Sequence, residues 1–221
     1  MKRKRKQICI IGLGQFGSEL ARNLVPECEV LAIDIEEDLV NAMSEDVHRA
    51  MCMDARDLAS LQTIVTPDFD EAIVSMSESI ETSVLCTLHL KQIGVKRIWA
   101  KALNEDHATI LKAIGATDVI FPERETARRL GAKIQNPNLL DFIPLMGGYR
   151  AVEMVGPESY AGQSLADLHL RKKYGVFIMA VKQSATHPLI FLPGPNYIVE
   201  KGDVMILIGP EKSLDEIEEM P

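Results

Sequence analysis

Along the first 135 residues the chain switches repeatedly between two hydrophobic periods. Short apolar runs such as Ile8, Ile10 and Ile11 read as buried strands, and each gives way to apolar residues at helical spacing, as at Phe16, Leu20 and Leu24. The alternation continues through "CEVLAIDI" and "EEDLVNAMSED", then "VHRAMCM" and "RDLASLQTI", then "DEAIVSM" and "IETSVLCTLHLKQIG". "KRIWAKA" and "NEDHATILKAIG" follow, then "DVIF" and a last helix, "PERETARRLGAKIQ". Asn104 suits a helix N-cap, and Gly94 and Gly115 suit helix stops. Strands alternating with helices predict an α/β fold, a Rossmann-like doubly wound parallel sheet that binds ligands at the carboxyl ends of its strands.

The pattern then changes. "NPNLLDFIPLMGG" is rich in Pro, Asn and Gly and reads as a connector. Beyond it come short strands, "YRAVEMV", "GVFIMAV", "PLIFL" and "DVMILIG", with one helix near "SLADLHLRKKY" capped by Ser164 and another near "SLDEIEEM". The expected organisation is a nucleotide-binding domain over 1–137, a connector over 138–148 and a small α+β C-terminal subdomain over 149–221. A length of 221 residues accommodates two such modules.

Net charge of −8 disfavours a nucleic acid partner. "MKRKRK" is the basic exception, a solvated tail or a contact for anionic lipid or nucleic acid. The glycine turn follows too soon for a signal peptide, and no apolar run reaches the roughly 18 residues of a membrane span, so a cytoplasmic chain is expected. Cys9, Cys28, Cys52 and Cys86 have no metal-ligand or C-x-x-C spacing and read as buried reduced thiols. His48, His89, His107, His169 and His187 are scattered and read as surface or cap residues.

The candidate chemistry sits where the first strand meets the first helix. Gly12, Gly14 and Gly17 fit G-x-G-x-x-G: one glycine for the tight turn, one for backbone approach to phosphate, one for close helix packing. A helix N-terminus there favours an anion. Asp34, at the end of the second strand, stands where a carboxylate accepts from ribose hydroxyls. Ile35 and Glu36 beside it bring no cation for a 2′-phosphate, which disfavours NADP and leaves NAD, ATP, ADP and AMP. Asp54 and Ala55 in "MDARD" could border adenine or form a helix cap. Ser75 and Ser77 in "SMSES" could meet ribose or phosphate or belong to a polar loop. No acid–base dyad or substrate domain of an oxidoreductase stands out, although a small NAD-dependent oxidoreductase remains the alternative reading. The strand begins near residue 7, which leaves no DNA-reading helix ahead of it in this sequence.

"IIGLGQFGSEL", "VLAIDI", "MDARD", "RIWAKA" and "GATDVIFPERE", followed by "GQSLADLHLRKKYGVFIMAVKQ" and "LPGPNYIVEKGDVMILIG", carry a resemblance over nearly the whole chain. It is to the cytosolic regulatory subunits of bacterial Trk and Ktr potassium uptake systems, built from regulator-of-potassium-conductance (RCK) domains, and most to KtrA-type members. The resemblance implies homodimers assembled into an octameric ring, NAD(H) or ATP/ADP bound in the crevice, and gating of a separate membrane potassium channel or transporter. Under it Gly12, Gly14 and Gly17 face phosphate, Gln15 and Phe16 follow in the glycine loop, Asp34 meets the ribose with Ile35 next to it in the site, and Asp54 with Ala55 meets adenine. Lys101 and Glu123 match positions near the phosphate end, with Glu123 acting through a divalent cation or Na⁺. Gln15 departs from the Arg of several ATP-responsive members and offers only a neutral hydrogen bond. Cyclic di-AMP is implied for the C-terminal subdomain, near Arg171 and "LPGPNYI", where a helix-terminal cation and turn-forming prolines are the plainer explanation. Leu130 and Ile134 are candidates for the dimer contact or for packing on the chain's own sheet.

Overall fold

The computed structural model describes residues 4–76, 79–183 and 188–220. Ser77, His187 and the start of the basic tail lie outside them. The chain divides between Glu123 and Arg124 into two compact units.

The first unit holds a six-stranded sheet in the order β3-β2-β1-β4-β5-β6. Its strands are β1 (Lys6–Ile11), β2 (Cys28–Asp34), β3 (Arg49–Cys52), β4 (Glu71–Val74), β5 (Arg97–Lys101) and β6 (Asp118–Ile120), paired in parallel throughout. Helices α1 (Gln15–Leu24), α2 (Glu37–Met43), α3 (Leu58–Leu61), α4 (Ile80–Ile93) and α5 (Glu105–Ile114) fill the crossovers. Alternate residues of each central strand enter opposite cores, which is why these strands are apolar without interruption. Ile8, Ile10, Val30 and Ala32 pack with Ala21, Val40 and Met43 from the side of α1 and α2. Cys9, Ile11, Leu31 and Ile33 pack with Leu61, Leu90 and Leu111 from the side of α3, α4 and α5. Asn104 caps α5 by accepting from the His107 N–H at 2.9 Å, and Gly94 ends α4 with a positive φ of 98°.

The second unit holds a five-stranded antiparallel sheet in the order β10-β9-β11-β8-β7. Its strands are β7 (Leu139–Pro144), β8 (Tyr149–Val155), β9 (Phe177–Lys182), β10 (Ile190–Phe191) and β11 (Val204–Pro210). Helix α6 (Pro122–Gln135) begins in the first unit and continues into the second. Leu214 and Ile217 of α9 (Glu211–Glu218) pack with Val152, Met154, Met205 and Leu207 of the sheet.

The segment expected as a connector contributes β7, with Leu139 and Phe142 buried in the core; its prolines and glycines mark the ends of the strand and conceal it. The helix expected near "SLADLHLRKKY" is two, α7 (Leu165–Leu168) and α8 (Leu170–Tyr174), because His169 adopts a left-handed φ of 49° between them. Ser164 caps α7 as the sequence suggests, accepting from the Asp167 N–H at 3.1 Å.

Candidate functional site

The parallel strands of the first unit end at one side of the sheet, and the order reverses between β1 and β4, where a doubly wound sheet opens a crevice. A cavity of about 730 Å³ lies there. The β1–α1 turn supplies Gly12, Gly14, Gln15 and Phe16 to its wall, and the end of β2 supplies Asp34, Ile35 and Glu36. The segment after β3 adds Asp54, Ala55 and Arg56, while Ser75 follows β4. Lys101 and Glu123 complete it on the side of β5 and α6.

The three glycines do different things. Gly12 has φ +97°, and a Cβ on it would lie 2.7 Å from Met76 Cγ, so the turn admits no side chain. Gly17 is outside the cavity wall: its Cβ would fall 1.9 Å from the Gly12 carbonyl oxygen, so this glycine is required for α1 to pack on the turn. Gly14 is the N-cap of α1 at φ −62°, a conformation open to other residues, and a Cβ there would meet nothing within 4 Å. Protein packing does not require Gly14 to be bare, and the space it leaves open belongs to the cavity. No side chain caps α1 and its first turn carries no acid, so its leading N–H groups and partial positive charge are unopposed.

Asp34 faces this helix end. Its Oδ2 accepts from the Leu13 N–H at 2.6 Å and its Oδ1 from the Glu36 N–H at 3.0 Å. These bonds fix the carboxylate and leave about half of its roughly four acceptor positions open. Ser75 also lines the cavity, but its buried hydroxyl donates to the Gly12 carbonyl and ties the end of β4 to the glycine turn.

Asp54 and Arg56 form one unit after β3. Hydrogen bonds from Arg56 hold the Asp54 carboxyl below its ordinary range. Asp54 is not a helix cap; Asp57 takes that place for α3. Sequence reasoning passes over Arg56, although an Asp and an Arg two residues apart, just past a strand that ends at the crevice, is a readable sign of such a pair.

At the far end Lys101, with its side chain only 10% exposed, is ion-paired with the exposed Glu123. The lysine's hydrogen bond lowers the Glu123 pKa. Among the described residues no group of three or more His, Cys, Asp or Glu side chains converges as a metal site, so a cation at Glu123 would take its remaining ligands from elsewhere. Gln15 stands exposed at the first position of α1.

Two expectations fail. His107 is buried, not a surface residue: its Nε2 lies 2.7 Å from Ser83 Oγ, its Nδ1 accepts from the Leu103 N–H at 3.3 Å, and burial lowers its pKa. Cys52 is exposed, not buried, because it ends the edge strand β3; its thiol donates to the Ile35 carbonyl at 3.4 Å. Cys9 and Cys86 are buried, and burial pushes the Cys86 thiol up to about 12. In the second unit the Arg171 guanidinium lies 4.9 Å from the Phe177 ring centroid, at a cavity of about 510 Å³. Among the described residues no helix is long and apolar enough to cross a membrane.

The fold is thus a Rossmann-type α/β unit joined to a small α+β unit. Family models match both: the TrkA-N domain over residues 8–122 and the TrkA-C domain over residues 151–220. The chain is 36% identical over 215 residues to the Ktr system potassium uptake protein C of Bacillus subtilis, covering 97% of this chain and 96% of that protein. It is 33% identical over 215 residues to the Ktr system potassium uptake protein A of Vibrio alginolyticus, covering 97% of each. Among solved structures, the GsuK RCK domain superposes with a TM-score of 0.55 at 25% identity, over 98% of this chain and 47% of the other, so the chain spans about half of that structure's length. The chain belongs to the TrkA/Ktr family of potassium uptake proteins.

Proposed function

We propose that this protein is a nucleotide-sensing regulatory subunit that gates a separate membrane potassium channel or transporter. The observation that carries the reading is the pairing of Asp34, fixed by two backbone N–H groups yet half unoccupied, with the uncapped N-terminus of α1 beside it on the wall of a cavity of about 730 Å³. That arrangement offers acceptors to ribose hydroxyls and donors to phosphate in a space within the roughly 300–1,000 Å³ of small-molecule sites. NAD(H), ATP and ADP all carry both groups. Near-full-length similarity to Ktr potassium uptake proteins supplies the physiological setting.

Homodimers of this chain assemble into an octameric ring on the cytoplasmic face of the membrane, and the transporter is a different polypeptide. Lys101 is placed to meet the terminal phosphate. A polyphosphate competes with Glu123 for that lysine, and a cation, divalent or Na⁺, then takes the lysine's place at Glu123. Gating needs no catalysis: a nucleotide shifts the ring by its differential affinity for two arrangements.

Calorimetric titration with ATP, ADP, NAD⁺ and NADH tests the site. Micromolar binding of at least one, lost in Asp34→Ala, is the expected result. No binding, or equal binding by Asp34→Ala, would overturn the assignment of the crevice. Reconstitution with the cognate transporter, read as nucleotide-dependent potassium flux, tests the gating role.

A further inference from the structure

Family resemblance assigns the adenine to Asp54 and Ala55, yet Asp54 is already occupied. Its Oδ1 accepts from the Arg56 backbone N–H and from Arg56 Nε, each at 2.9 Å, and its Oδ2 accepts from Nε at 3.1 Å and from Nη2 at 2.7 Å. A carboxylate offers about four acceptor positions, so almost nothing is left to receive the exocyclic amine of adenine.

The same bonds have a second effect. They hold the guanidinium by two of its nitrogens against the carboxylate, at the cavity wall next to the small, buried Ala55. Arg56 Nη1 makes no hydrogen bond among the described residues, and the arginine side chain is 45% exposed. A planar cation held rigidly at the mouth of an apolar-floored recess is a stacking surface for an aromatic ring. Its charge is balanced by Asp54, so it is a poor competitor for phosphate, and Lys101 with the α1 N-terminus serves that role at the other end.

We propose that Arg56, clamped by Asp54, holds the nucleotide base by stacking on it, so that the site selects a purine ring and not the 6-amino group of adenine. This rests on the reading that the cavity takes a nucleotide. Asp54 is then a positioning residue that acts through Arg56.

The test uses the full chain and two pairs of probes that differ only in the 6-substituent: ADP with inosine 5′-diphosphate, and NAD⁺ with nicotinamide hypoxanthine dinucleotide. Within whichever pair binds, the two members are expected to agree to within about threefold, less than the energy of one hydrogen bond. Arg56→Ala weakens both members by about tenfold, the size of one base–aromatic stack. Arg56→Tyr, which keeps a planar surface without the guanidinium, recovers most of that loss. Asp54→Asn weakens both members by the same factor, because it only loosens the arginine. A strong preference for the amino-purine that disappears in Asp54→Asn would overturn the proposal, as would wild-type affinity in Arg56→Ala. Binding of none of the four probes by the wild type would overturn the nucleotide reading and this inference with it. That outcome differs from the other two, in which a probe binds and only the role of Arg56 fails.

Discussion

The two units treat their polar groups in opposite ways. In the second, Arg150 lies on the inward face of β8 beside Val152 and Met154, and its Nη2 reaches Asp215 and the buried Glu218, each at 2.6 Å. Asn136 Nδ2 closes the group by donating to the Glu218 carbonyl at 3.1 Å and to Oε2 at 3.2 Å. These bonds join the end of α6 to β8 and α9 and face inward. In the first unit Asp34, the α1 N-terminus and Lys101 are also oriented by the protein, but toward open space. The groups of the first unit are turned toward space that a ligand can enter, whereas those of the second are turned inward and act as a joint, although Arg150 Nε stays buried without a hydrogen-bond partner among the described residues.

The largest effect expected from this contrast lies in the second unit. Arg150→Ala strands the buried Glu218 and should lower stability by about 3–5 kcal/mol in urea denaturation, the usual consequence of removing one partner of a buried pair. The double change Arg150→Met with Glu218→Leu should recover most of it. If Arg150→Ala were silent, the joint would be no joint.

A step smaller, Gly17→Ala forces a Cβ onto the Gly12 carbonyl and should cost about 3 kcal/mol through overpacking. Gly14→Ala sharpens the comparison from within the same turn. Its stability should stay within about 0.5 kcal/mol of wild type, while nucleotide affinity falls by about tenfold or more. Equal effects at both glycines would erase the distinction between packing and binding roles.

The smallest effects concern pH, and they have opposite signs in the two units. His107 is buried and neutral, with a folded-state pKa below its unfolded value of about 6.5, so the unfolded chain takes up the proton first. Its contribution is complete above that pH and is lost as pH falls below it. Glu218 has a raised folded-state pKa, chiefly through burial, so the folded state holds its proton longer than the unfolded chain does. Its protonated form favours folding at low pH, and that advantage is lost as pH rises from the unfolded carboxyl value through the folded one. Denaturation midpoints followed against pH should therefore lose their acid-side decline in His107→Gln and their alkaline-going decline in Glu218→Gln. An unchanged profile in either variant would remove that residue from the explanation.

Much of the first unit is legible in the sequence because its signals are local and redundant. Uninterrupted apolar strands, helix caps such as Asn104 and the glycine turn each state the same parallel fold, and Asp34 falls where the end of β2 must lie. The second unit states itself less clearly. Strand β7 is hidden because only Leu139 and Phe142 of its six residues are buried, and Pro144 closes it. The break at His169 depends on a left-handed residue that is not glycine, which composition does not announce. Within the site, Arg56 escapes because its role depends on a bidentate bond to Asp54. The burial of His107 depends on Ser83, 24 residues away on α4. The His107–Ser83 pairing belongs to three-dimensional structure and leaves no periodic trace, whereas the Asp54–Arg56 pair is local and escapes only because neither residue type announces the bond.

The hook between Ser75 and the glycine turn has a consequence for time. It joins residues 63 positions apart, and the Asp34 bond to Leu13 joins residues 21 apart, so the turn cannot take its final form until β1 has paired with both β2 and β4. Contacts of such separation require the loops between them to close first. A nascent or damaged chain with most of its helices in place would still be blind to the ligand.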